Sequence, residues 1–190
     1  SEIYRNNVTL TLYPSVRSLV LAKEGNSIAS IASTVQYPSE IGVFSIPDGY
    51  EATSFTNQYG WDNTFSIDRH LFAVEDIAGE NNAILIFDLN SGDETFELTG
   101  HTSGINTLEF SPRQELLASG GFDHKIMLWD VNTGTLVKTL YGSSDVFDIS
   151  FSEDGHKLAT AGRNNVQIWE INLGILQSTL TRNYDQVYSY

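Results

Sequence analysis

The chain of 190 residues contains no cysteine. Disulfides, thiolate nucleophiles and cysteine-ligated zinc are thereby excluded, and the redox compartment is left open. Basic residues are scarce: ten Lys and Arg stand against 24 Asp and Glu, for a formal net charge of −14. Those ten are scattered, whereas a nucleic-acid surface needs them clustered. The same sign opposes anionic membranes and favours basic partners. No apolar run approaches the roughly 20 residues of a membrane span, and no signal segment is visible. The expectation is a soluble protein, either cytoplasmic or secreted after signal removal, with no nucleic-acid partner and no membrane insertion.

Signs of catalysis are missing as well. There is no phosphate-binding Gly-rich loop, no nucleophile elbow and no His-Glu-x-x-His motif. The acidic stretch from Glu75 to Asn82 offers oxygen ligands of the kind calcium takes, but its spacing does not match an EF-hand, so it reads as a solvated loop. Of the four histidines, His70 and His156 fall at equivalent turns and His124 in a tight turn beside Asp123. These read as exposed. No catalytic residue, cofactor or metal is expected.

What the chain does have is a repeat of about 40 residues, the mark of one supersecondary unit built several times. A turn ending in glycine recurs as Pro47-Asp48-Gly49, Asn90-Ser91-Gly92, Asn132-Thr133-Gly134 and Asn172-Leu173-Gly174. Just before each turn stands an aromatic residue followed by a small or acidic one: Phe44-Ser45, Phe87-Asp88, Trp129-Asp130 and Trp169-Glu170. Phe65-Ser66, Phe110-Ser111 and Phe151-Ser152 form a second landmark, with Leu21-Ala22 a weaker first copy. Each copy holds four apolar runs of strand length separated by turn residues. In the third these are 105–110, 115–119, 125–129 and 135–140. Helical periodicity is absent. The run from Ile126 to Trp129 is apolar on both faces, as a strand inside a stack of sheets must be. The last run, with Lys138 and Thr139, is more polar, as befits an outer strand.

The Gly100-His101 start, the Phe110-Ser111-Pro112 turn, the 117–121 run Leu-Ala-Ser-Gly-Gly and the Trp129-Asp130 ending resemble the WD-repeat (WD40-type) β-propeller family. The resemblance covers about residues 8 to 190 and is strongest in the third copy. It implies an all-β propeller arc of four four-stranded antiparallel blades around a central channel. It also implies that His101, Ser119, Asp123 and Trp129 form a hydrogen-bonded chain locking the third blade. The fourth copy departs from this pattern. Gly142-Ser143 replaces Gly-His, Thr160 stands for the serine, Asn164 or Asn165 sits near the Asp position, and Trp169 remains. Phe44 and Phe87 replace the tryptophan in the first two copies. Blade three is therefore expected to be the most rigid and blade one the least.

The repeats run over about 8–49, 50–92, 93–134 and 135–174, with a partial repeat at 175–190. Val8 to Tyr13 aligns with an outer strand, and Asp185 to Tyr190 with the first strand of a further blade. A ring of about seven blades at roughly 40 residues each would need roughly 110 more residues. Completion of the ring by further chain, or self-association, is therefore expected, because an open arc exposes sheet edges and an apolar face. The best contact candidates are aromatics outside the repeat pattern: Tyr59, Trp61 and Phe147, near the start of first strands at one rim. The expected function is a non-catalytic interaction or scaffolding module that binds a protein or peptide through rim loops. Two alternatives are a sensor domain of a larger enzyme such as an NTPase, and a structural or surface-assembly protein joined through open blade edges.

Overall fold

The computed structural model describes residues 16–21, 27–34, 37–45, 51–57, 63–66, 70–76, 81–89 and 91–181. Among these every regular element is a strand, sixteen in number, arranged as four antiparallel sheets. Blade one holds β1 (Val16–Leu21), β2 (Ser27–Thr34), β3 (Tyr37–Ser45) and β4 (Glu51–Asn57). Blade two holds β5 (Asn63–Ser66), β6 (Leu71–Asp76), β7 (Ala83–Asp88) and β8 (Glu94–Leu98). Blade three is β9 (Ile105–Phe110), β10 (Leu116–Gly121), β11 (Lys125–Asp130) and β12 (Thr135–Tyr141). Blade four is β13 (Val146–Phe151), β14 (Lys157–Gly162), β15 (Asn165–Glu170) and β16 (Ile175–Thr181). In each sheet the strands pair in chain order. The segments expected as strands at 8–13 and 185–190 lie outside the described residues.

The first strands of successive blades adjoin: β9 lies alongside both β5 and β13. The sheets of blades two to four thus stack face to face, with first strands inward and fourth strands outward. Burial follows that geometry. β11 buries Ile126, Met127, Leu128 and Trp129 in succession. Met127 and Trp129 join a core with Ala73, Ile84, Ile86 and Leu98 of blade two. Ile126 and Leu128 join a second core with Val146, Ile149, Leu158 and Trp169 of blade four. One apolar strand therefore serves two interfaces, because side chains alternate across a sheet. The outer strand β16 is exposed along its whole length.

The turn between third and fourth strands explains the acid after the aromatic in blades two and three, where Asp88 Oδ1 accepts Ser91 N–H at 3.1 Å and Asp130 does the same work. Asp130 Oδ1 accepts the backbone N–H groups of Asn132 (2.8 Å) and Thr133 (3.0 Å). Gly134 N–H donates to the Asp130 carbonyl at 2.9 Å. The turn requires a left-handed residue, and Gly134 has φ +67°. Gly92 and Gly174 repeat it with φ +77° and +69°. A side chain would be strained at each. Gly120 answers a different need. A Cβ there would stand 2.5 Å from Val146 Cγ1, so its absence lets blade four approach blade three.

Candidate functional site

Because strands alternate in direction, each rim collects a fixed set of connections. One rim carries the β10–β11 hairpin around residues 121–125 and the inter-blade connections at 99–104 and 142–145. The opposite rim carries the 111–115 and 131–134 turns.

At the first rim, blade three brings His101, Ser119, Asp123 and Trp129 together. Trp129 Nε1–H donates to Ser119 Oγ at 2.9 Å, and Ser119 Oγ lies 2.8 Å from His101 Nε2. His101 Nδ1 lies 3.0 Å from both oxygens of Asp123. The indole can only donate and the carboxylate can only accept, which sets the direction of the whole chain. Ser119 donates to His101 Nε2, and the imidazole is the neutral tautomer with its proton on Nδ1, directed at Asp123. Asp123 also accepts the backbone N–H of Thr102 (2.9 Å) and of Lys125 (3.1 Å). Ser119 is fully buried, Trp129 2% exposed and His101 5% exposed, so each of these bonds replaces water that cannot enter.

The electrostatics agree with this assignment. Burial pushes the His101 imidazole below its ordinary value, and the nearby Asp123 carboxylate only partly reverses the shift. Burial alone would raise Asp123. The Thr102 N–H, His101 and the Lys125 N–H outweigh it and hold the carboxyl below the usual range. The result is a neutral ring on a charged acid, with every strong donor and acceptor used. Such a network fixes the hairpin carrying Phe122 and His124 to the body of the blade.

Blade four reaches the same end differently. Trp169 Nε1–H donates to Thr160 Oγ1 at 3.1 Å. Where blade three has Met127, blade four has the buried Gln167, whose Oε1 accepts the Ser143 N–H at 3.1 Å. Asn165 Nδ2 donates to Ser143 Oγ at 2.5 Å, whereas Asn164 is exposed. Gln167 thus reaches across to the segment that carries histidine in blade three. The repeat pattern gave no hint of it, apart from a polar residue in an otherwise apolar strand. Blade two has Phe87 at the tryptophan position, buried and 6.2 Å from Phe72 between ring centroids.

Further polar groups tie neighbouring blades. Glu75 Oε1 accepts Ile105 N–H at 3.0 Å across blades two and three. Between blades three and four, Glu109 Oε2 accepts Phe151 N–H at 3.1 Å, and Asn106 Nδ2 donates to the Val146 carbonyl at 3.0 Å. Burial pushes the Glu109 carboxyl up to about 7, against the lowering effect of Phe151 N–H and with help from Asp148. Burial raises Glu75 in the same way. Glu75 and Asp76, expected in a solvated loop, are the last two residues of strand β6.

Of the aromatic contact candidates, Tyr59 and Trp61 lie outside the described residues. Phe147 lies within β13 rather than ahead of it and is 42% exposed. It falls where the β13–β14 register shifts, opposite no single partner. Such a bulge re-aims a side chain. Its ring meets Phe122 of the blade-three hairpin edge-on, with centroids 6.3 Å apart and planes at 86°. Phe122 is 49% exposed and did not stand out in the sequence. The turn histidines His70, His124 and His156 are exposed, and His124 Nε2 lies 3.1 Å from Asp145 Oδ1. No group of three or more metal-ligating side chains occurs among the described residues. No helix among them is long and apolar enough to cross a membrane.

Comparison with known proteins bears on the same blades. The family model "WD domain, G-beta repeat" matches residues 92–130 and 134–170. Autophagy-related protein 16 of Arabidopsis thaliana is 34% identical over 89 residues, covering 46% of this chain and 18% of that protein. Small ribosomal subunit protein RACK1 of Caenorhabditis elegans is 34% identical over 94 residues, covering 50% of this chain and 29% of that one. A chromatin assembly factor 1 component of Mus musculus is 33% identical over 127 residues, covering 51% and 22%. The chain thus spans less than a third of each relative. The two matched repeats fall on blades three and four, and blade three carries the His101, Ser119, Asp123 and Trp129 network, so residues 92–130 and 134–170 are WD repeats.

Proposed function

We propose that this chain is a non-catalytic scaffolding module that binds a protein or peptide at the rim carrying Phe147. The carrying observation is a division of labour. The buried polar side chains of blade three are spent on holding the blade together, while the rim they support presents exposed aromatic surface. Aromatic side chains on a rigid support are the usual anchors of protein interfaces. Two of the relatives are, by name, members of larger assemblies: a ribosomal protein and a component of a chromatin assembly factor. The test is replacement of Tyr59, Trp61 and Phe147 by serine in the whole protein, with bound proteins quantified by mass spectrometry. The reading expects them to be lost from the rim variant and retained when the opposite rim is changed at Leu173. Undiminished capture by the rim variant moves the site elsewhere.

One further observation supports completion of the arc by another blade. Ile126 and Leu140 of blade three are 0% and 3% exposed beneath blade four. Their counterparts in blade four, Val166 and Leu180, are 36% and 64% exposed. Contiguous exposed apolar surface marks a site of association. Light scattering of the 190-residue chain tests the point. Concentration-dependent association is expected, and a monomer at all concentrations contradicts it.

A further inference from the structure

We propose that the Phe122–Phe147 edge receives a protein segment that presents an apolar side chain next to a lysine or arginine. The inference rests on the rim-binding reading above and names the chemistry of the partner. Phe122 comes from the hairpin of blade three and Phe147 from the first strand of blade four, so the pair straddles the junction of the two blades. Both are backed by rigid structure. The Phe122 hairpin is pinned by Asp123 to His101 and Thr102. The Phe147 strand is pinned by Asn106 to Val146 and by Glu109 to Phe151. An apolar step with its ordering already complete loses little entropy on binding.

The charge around the step is unequal. Phe122 Cδ2 and Glu75 Oε1 both come within 4 Å of the point where a Cβ on Gly104 would stand, so a carboxylate borders that ring. Asp148 follows Phe147 in the strand and is exposed. Asp145 lies just before it, 3.1 Å from His124 and 3.6 Å from Arg163. Among the described residues, Arg163 is the one loosely held cation near the step, and its side chain is 72% exposed. Lys125 is held by Asp123 and the Gly100 carbonyl. One carboxylate thus borders Phe122, and two more flank Phe147 in the chain, with that single arginine against them. A cation on the partner gains from this field, and an acidic partner is repelled by it. Cations also favour aromatic faces.

The probe is a display library of random peptides, each about twelve residues long, selected on the full chain, with enriched peptides then measured by calorimetry. Apolar–Lys or apolar–Arg pairs are expected to dominate the enriched set. Their affinity falls at least about tenfold in the doubly substituted F122S/F147S variant. It falls several-fold in Asp148→Lys and in roughly 0.5 M salt. The charge variant guards against loss through local misfolding, because Asp148 is exposed. Three results overturn the proposal: no enrichment, enrichment without basic residues, or affinity unchanged in F122S/F147S. If enriched peptides survive F122S/F147S but lose binding when Tyr59 and Trp61 are changed, the partner chemistry at this step fails while rim binding stands. Binding that survives both sets of changes removes both.

Discussion

Replacing Ser119 by alanine should be the most damaging single-atom deletion in blade three. The hydroxyl accepts from Trp129 Nε1–H at 2.9 Å and lies 2.8 Å from His101 Nε2. Alanine removes one small polar atom, but it leaves an indole donor and an imidazole acceptor buried with no water to replace it. Each orphaned group costs about 1–3 kcal/mol, so S119A should lose about 2–6 kcal/mol. In blade four Thr160 receives only the Trp169 bond, and Thr160→Val should lose about 1–3 kcal/mol. The two effects are read from urea unfolding followed by circular dichroism, with amide exchange reporting which strands open. Exchange should accelerate first in β10 and β11. Adding W129F to S119A removes the stranded indole donor, so the double variant should lose less than the sum of the singles. A loss in S119A below about 0.5 kcal/mol, or one equal to that of Thr160→Val, would refute the reasoning.

The Glu109 carboxyl should make stability pH-dependent with an unusual sign. Its folded value is raised to about 7 from an ordinary 4.5, so the folded chain takes up this proton first as pH falls. Its contribution is complete below about pH 4.5 and is lost as pH rises through about 7. E109Q keeps an acceptor for Phe151 N–H without the charge and should gain about 1–2 kcal/mol at about pH 8 after discount for solvent screening, and nothing at about pH 4. His101 has the opposite sign. Its lowered value means stability falls as pH drops below about 6.5, and that acid loss should be plainer in E109Q than in the parent chain. G120V should press on Val146 and loosen the contact between blades three and four, seen as a lower Tm and faster exchange in β13. Across blades, amide exchange should be slowest in β10 and β11 and fastest in β2 and β3, because blade one has Phe44 where blade three has Trp129. Slowest exchange in blade one would contradict this order.

How far the sequence could be read depended on the range of each interaction. Strand limits and turn glycines are local matters. Asn132-Thr133-Gly134 needs a left-handed glycine wherever the sheet ends, so the period shows through at once. The alternation of Ile126 and Leu128 with Met127 and Trp129 is also local, and it already implied burial on two faces. His101, Ser119, Asp123 and Trp129 stand at landmarks of the repeat and could be picked out by resemblance. The contacts that depend on how one blade seats against the next left no such trace. Phe122 meets Phe147 only because a bulge turns the second ring outward and stacking brings the hairpin beside it. Glu109 and Phe151 are 42 residues apart and meet only through that stacking. Gln167 stands where the pattern calls for an apolar side chain. Its amide reaches a segment with no histidine, a compensation visible only in three dimensions.

Rim binding as proposed requires that the rim carrying Phe147, and not the opposite rim, meets the partner. A photo-crosslinking amino acid placed at position 147 and, separately, at Leu173 on the opposite rim tests it directly in the whole protein. Leu173 is 69% exposed, so both probes are accessible. Protein adducts are expected from position 147 and none above background from position 173. Adducts from position 173 alone would contradict it.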